Sequence, residues 1–155
     1  MKKSLYRLLI VEENPHIVSV LTQTLKVDFD ITVATTGKDA IRVLMQGSRF
    51  DFVITELNVS FFSGLELIEL IRMNKQTGHT HIMVLSGALD SDARIACLEA
   101  GADSYMTKPF NPLEVKAKLN SISRRTSPQP ELYEAPVIPV HLSQERQIRA
   151  LNTNQ

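Results

Sequence analysis

The chain has 155 residues, enough for one domain with a buried core and short of two. Hydrophobic content of 43% and charged content of 22% are those of a globular protein, and 17 acidic residues balance 17 basic ones, so net charge points to neither nucleic acid nor an anionic membrane as partner. The single cysteine, Cys97, excludes an intramolecular disulfide, and with no Cys/His cluster at zinc spacing a reducing, cytoplasmic setting fits best. No apolar run approaches the roughly 20 residues that span a bilayer.

In chain order, LLIV (8–11) follows Arg7 and runs straight into Glu12 and Glu13, the pattern of a strand rather than of a signal peptide. Ile17, Val20, Leu21 and Leu25 then share one helical face. A second strand, ITVAT (31–35), precedes a helix with Ile41, Leu44 and Met45 on its apolar side, and FVIT (52–55) precedes one with Leu67, Ile68 and Ile71. IMVLS (82–86) leads to a helix over 91–100 that is apolar mainly through Ile95, Leu98 and small residues, so its grip on the core is predicted to be the weakest; Cys97 reads as a small core residue. SYMT (104–107) is the fifth strand. The last helix has Asn111 as N-cap, Pro112 at the first helical position, Glu114 three residues after the cap, and Val115, Leu119 and Ile122 inward. Five strand-then-helix units with strands apolar on both faces predict an α/β, doubly wound, parallel five-stranded sheet.

The composition changes near Arg125. Four of seven prolines, Pro128, Pro130, Pro136 and Pro139, crowd into the last 30 residues, so residues 1–125 are expected to form the domain and 126–155 a Pro-rich tail or linker. The tail reads either as an unstructured end with a short helix around Ser143 to Leu151, or as a partner-binding strip built on Tyr133, Val137, Ile138 and Val140.

In an open α/β sheet, ligands collect beyond the carboxyl ends of the strands. Strand 1 ends in Glu12-Glu13-Asn14, strand 3 in Glu56-Leu57-Asn58, strand 4 in Ser86-Gly87-Ala88 and strand 5 in Lys108-Pro109-Phe110. Three carboxylates, a hydroxyl and an ammonium are therefore expected at one edge. The carboxylates would repel one another unless protonated or neutralised, and such hard oxygen ligands suit Mg²⁺, while Lys108 could neutralise part of the charge directly. The same turn argues against a flavin or nucleotide enzyme, because Glu12-Glu13-Asn14-Pro15 would repel a cofactor phosphate. No nucleophile-elbow, Walker or zinc-protease motif is present, and no enzymatic activity is expected. His16, His79, His81 and His141 show no mutual spacing that suggests a metal site.

The strings LLIVEEN, DFVITELN, IMVLSGA and GADSYMTKPF, in this order, resemble the receiver domain of bacterial two-component response regulators over about residues 4–124. The resemblance implies a flavodoxin-like (βα)5 fold with strand order 2-1-3-4-5. It implies a phosphoacceptor position at Glu56, where the family carries aspartate, and Mg²⁺ ligands at Glu12, Glu13, Glu56 and the Asn58 carbonyl. It further implies phosphoryl contacts from Ser86 and Lys108, a switch aromatic at Tyr105, and a cis Lys108-Pro109 bond.

Two departures bear on function. Glutamate at position 56 moves its carboxylate out by roughly 1.5 Å relative to aspartate, and a misplacement near 1 Å can cost on the order of 100-fold in rate. Phosphorylation independence is therefore expected, with Glu56 reaching toward Ser86 and Lys108 as a partial mimic of phosphate. The alternative is a Mg²⁺-dependent, phosphoryl-accepting receiver with a histidine kinase partner. Retained charge argues for Mg²⁺ as cofactor and altered reach against it, and the two stay open. The second departure is Ser60-Phe61-Phe62-Ser63-Gly64, where the family often has Pro-x-x-x-Gly. Phe62 reads as ordinary packing, while Phe61 could cover the site, contact a partner or pack locally. The expected partner is a protein, effector or histidine kinase, met on the face of the fourth helix, fifth strand and fifth helix, where a homodimer could also form. A tail so short and poor in basic residues is not expected to bind DNA.

Overall fold

The computed structural model describes residues 5–87 and 90–126. Of the tail expected over 126–155, residues 127–155, His141 among them, lie outside the described residues, as does Ala88. The elements run β1 (Tyr6–Val11), α1 (Pro15–Leu25), β2 (Phe29–Ala34), α2 (Gly37–Met45), β3 (Phe52–Glu56), α3 (Gly64–Met73), β4 (His81–Ser86), α4 (Ser91–Ala100), β5 (Ser104–Thr107) and α5 (Pro112–Ser123). The strands form one parallel sheet in the order β2-β1-β3-β4-β5, as the resemblance implied.

Alternation along each strand sorts the core into two layers. Leu9, Val11, Val53, Ile82 and Val84 point to one face, where Ala40 of α2, Leu67, Ile68 and Ile71 of α3, and Cys97 of α4 cover them. Leu8, Ile10, Phe52, Ile54, Met83 and Leu85 point to the other, against Leu21 and Leu25 of α1 and Val115 and Leu119 of α5. Both faces are buried, and that is why these strands are apolar without a polar alternate.

Capping side chains set where the helices begin. Asn14 accepts from His16 N–H and Ile17 N–H at α1, Thr36 from Asp39 N–H at α2, and Asn111 from Leu113 N–H ahead of Pro112. Ser63 and Glu66 make a reciprocal capping box at α3 that the sequence reading passed over, although Ser-x-x-Glu is its signature.

Two helices sit differently from expectation. Met45 is 81% exposed, and α2 closes on the sheet instead through Gly37 and Ala40, with Ile41 and Leu44 half-buried. Gly37, Ala40, Ile41 and Leu44 form the stripe that meets the sheet, and Met45, the last residue of the helix, lies off it. In α4, Cys97 is the buried residue, as expected of a small core side chain, while Ile95 and Leu98, expected to supply most of the apolar contact, face outward, so the grip is as weak as expected.

Candidate functional site

β1 lies between β2 and β3, so the chain leaves β1 and β3 in opposite directions and opens a crevice at their carboxyl ends. Parallel register sets Val11 opposite Thr55, and the next residues, Glu12 and Glu56, emerge side by side. Glu12 is 5% and Glu56 8% exposed. Lys108, directly after β5, reaches back over the strand ends and places its Nζ 2.8 Å from Glu12 Oε2 and 2.5 Å from Glu56 Oε2. Its backbone N–H donates to the Ser86 carbonyl at 2.9 Å, which fixes the start of that reach, and the Lys108-Pro109 bond is cis as the resemblance implied.

The other carboxylate oxygens are met by backbone donors. Glu56 Oε1 accepts from Leu57 N–H at 2.7 Å and Asn58 N–H at 3.1 Å, and Glu12 Oε1 from Asn14 N–H at 3.1 Å. Burial of the Lys108 ammonium by itself favours its neutral form. Its hydrogen bonds to Glu12 and Glu56 and their charges outweigh that and hold it above the ordinary lysine range.

Glu13 behaves differently. Its Oε1 accepts from Ser60 N–H at 2.6 Å, across 47 residues, and hydrogen bonding from the Ser60 side chain, then from its backbone, holds the carboxyl below its ordinary value. The side chain still lines the cleft mouth, yet it acts as a pin for the loop between β3 and α3. That loop is also held at Gly37, whose N–H donates to the Ser60 carbonyl at 3.0 Å, and a Cβ at Gly37 would collide with the Phe62 carbonyl oxygen. At Gly64 a Cβ would come within 2.5 Å of the Glu56 carbonyl oxygen, so both glycines are needed for the loop to lie this close to the site. Between these anchors Phe61 adopts φ 68 and stands 82% exposed, so it neither covers the cleft nor packs locally, while Phe62 packs against the core.

The resulting cleft of about 640 Å³ is lined by Glu12, Glu13, Asn14, Glu56, Asn58 and Lys108, among others. Ser86 is fully buried at the end of β4. Tyr105 lies half-buried in β5 under Arg94 of α4, whose guanidinium carbon is 5.2 Å from the ring centre. The structure thus brings Glu12, Glu56 and Lys108 into direct contact and sets Glu13 and Asn58 at the cleft wall. Tyr105 joins a separate patch on α4 and β5. For a divalent cation the donors are of the right kind, since hard oxygens suit Mg²⁺. Each of the three carboxylates already holds a protein donor, however, and among the described residues no set of three His, Cys, Asp or Glu side chains is gathered for a metal ion.

A parallel β2-β1-β3-β4-β5 sheet with acids after β1 and β3 and a Lys-Pro pair after β5 matches the family model described as the response regulator receiver domain, over residues 8–120. The chain belongs to the response regulator receiver family. This receiver is 31% identical over 146 residues to the transcriptional regulatory protein TcrA of Mycobacterium tuberculosis, covering 93% of this chain and 56% of that protein. It is 33% identical over 116 residues to the sensor histidine kinase TmoS of Ectopseudomonas mendocina, covering 75% of this chain and 12% of the kinase. The chain therefore spans about half the length of the transcriptional regulators it matches and a small part of the kinase. Among solved structures, the chemotaxis response regulator CheY4 of Vibrio cholerae superposes with a TM-score of 0.70 at 25% identity, covering 77% of this chain and 99% of that one. The receiver domain of the sensor histidine kinase PA1611 of Pseudomonas aeruginosa, solved with a magnesium ion coordinated in its active-site cleft, shares the fold with a TM-score of 0.68 at 24% identity over 76% of this chain and 97% of that one. The receiver thus works in two-component signalling, where such domains interact with kinases or effectors. Among the described residues no helix is long and apolar enough to cross a membrane.

Ser60 and Gly37 are the site residues that the sequence reading passed over. Gly37, placed directly after the Thr36 cap, was a readable signal of close approach. Nothing local marks Ser60, because its partner Glu13 lies 47 residues away.

Proposed function

We propose that this receiver is atypical and phosphorylation-independent, and that it regulates a protein partner through the face of α4, β5 and α5 as a binding module rather than an enzyme. The observation that carries this is the engagement of both Glu56 oxygens. One is bonded to Lys108 Nζ and the other to two backbone N–H groups, so an attacking oxygen would have to break these bonds as well as overcome the added methylene. The same contact puts negative charge against Lys108, where the family's phosphoryl group would meet it.

Incubation with a small phosphoryl donor, read by intact mass, tests the reading. The wild type is expected to stay unlabelled while Glu56→Asp gains one phosphoryl group. A label on wild-type Glu56 would restore the Mg²⁺-dependent, phosphoryl-accepting alternative with a histidine kinase as donor.

For the partner face, Arg94 packs over Tyr105, Leu98 lies one turn further along the same stripe, and Ile95 adjoins; both apolar side chains are exposed. The patch suits an effector, a kinase or a second copy of the chain, in a cytoplasmic setting consistent with the single buried thiol. Leu98→Glu should convert any homodimer to monomer in sedimentation while changing stability by no more than about 0.5 kcal/mol. An unchanged dimer would remove this face from consideration.

A further inference from the structure

We propose that Lys108 is the resident cation of the cleft, so that the site holds its charge in order without a divalent metal. The inference deepens the phosphorylation-independent reading and rests on it only in part, because the two can fail separately.

The argument starts from charge. Glu12 and Glu56 are nearly buried and adjacent on neighbouring strands, so something positive must lie between them. In a metal-binding arrangement that place would go to the ion, with carboxylate oxygens at about 2.0 to 2.1 Å in near-ideal octahedral geometry. Here the Lys108 ammonium bonds one oxygen of each acid, at 2.8 and 2.5 Å. The remaining oxygens are not left over for a cation, since Asn14, Leu57 and Asn58 donate their N–H groups to them. These dipoles meet the single negative charge that one ammonium leaves on two carboxylates.

The third acid that could complete a metal set is committed elsewhere. Glu13 pins Ser60, and the loop it holds is the one that ends at the α3 capping box. Recruiting it to a metal would release that loop. The reach of glutamate is also what permits the arrangement, because both residues 12 and 56 meet an ammonium that approaches from β5 across the strand ends. A divalent ion could enter only by displacing Lys108 from both acids and breaking backbone hydrogen bonds.

The test uses the full chain. Backbone amide shifts at Glu12, Glu56 and Lys108 are followed during a Mg²⁺ titration to the millimolar range, and paramagnetic broadening by Mn²⁺ is measured on the same resonances. The wild type is expected to show neither response. Lys108→Met removes the ammonium while keeping the stem, and is expected to bind Mg²⁺ on the order of tenfold or more tightly than the wild type. Localised Mg²⁺ shifts or Mn²⁺ broadening in the wild type would overturn the proposal. So would a folded Lys108→Met that ignored both ions, because then the ammonium is not what excludes them.

If Lys108→Met does not fold, the wild-type Lys108 side-chain nitrogen resonance decides. Slow exchange with water and no Mg²⁺ shift uphold the proposal, and rapid exchange or a Mg²⁺ shift sinks it. Phosphoryl labelling in chelator separates the two readings. A label on the wild type without metal would end phosphorylation independence and leave the resident cation standing. Mg²⁺ binding by an unlabelled wild type would do the reverse.

Discussion

Lys108→Met is the most informative perturbation of stability. Methionine keeps most of the aliphatic stem and removes the charge, leaving Glu12 and Glu56 side by side with side chains only 6% and 10% exposed. Removing one partner of a buried ion pair costs about 3 to 5 kcal/mol, mostly through the charge left behind. Lys108 keeps 20% of its side chain in contact with water and three backbone N–H groups still hold the acids, so the lower end applies, about 3 kcal/mol. Against a total stability of roughly 5 to 15 kcal/mol, the variant should still fold. Urea unfolding followed by circular dichroism measures the loss directly. Glu56→Gln on the Lys108→Met background should recover a large part of it, because one of the two repelling charges is gone. A loss below about 1 kcal/mol, the value of an exposed pair, or no recovery in the double variant, would refute the account of the cleft as a charge-balanced triad.

Phe61→Gly should raise stability by about 0.5 to 1 kcal/mol, since the left-handed conformation costs a bulky residue about 1 to 2 kcal/mol and glycine's extra unfolded-state freedom offsets part of the gain; a destabilised variant would mean that the exposed ring makes an unseen contact. His81 packs beside Phe52, and its pKa lies below 6.5 because burial disfavours the charged ring, with Asp103 opposing and Arg72 reinforcing the shift. Its folded pKa is depressed, so the unfolded chain binds the proton more readily. The stability it contributes is complete above 6.5 and is lost as pH falls from there toward the folded value. His81→Phe should flatten that part of the stability profile, and an unchanged slope would assign it to another group.

The periodicity of apolar residues was enough to place β5 at 104–107 and α4 at 91–100, because each run is bounded by residues that cannot continue it. The site was legible as a meeting of Glu12, Glu56 and Lys108 for a related reason. Glu12 and Lys108 stand one residue beyond β1 and β5 and Glu56 is the last residue of β3, and parallel strands deliver their ends to one edge. Expectation and structure part at Met45, Ile95 and Leu98, where helical spacing marks an apolar stripe but not which part of it meets the sheet. Glu13 lines the same cleft as the other acids, as its place after β1 implies, but it bonds the Ser60 loop and not Lys108.

What the sequence determined by itself is therefore the order of elements, the two-sided core and the identity of the charged groups at the strand ends, all of which follow from local composition and a repeating topology. Only the tertiary structure decided how those groups divide their bonds. Glu13 and Ser60 are 47 residues apart and Lys108 and Glu12 are 96 apart, and each contact forms because unrelated segments fix the donors within reach. Glu12 and Glu13 are adjacent, chemically identical acids. One turns inward to an ammonium and the other outward to a backbone N–H, because successive side chains leaving a strand point to opposite sides.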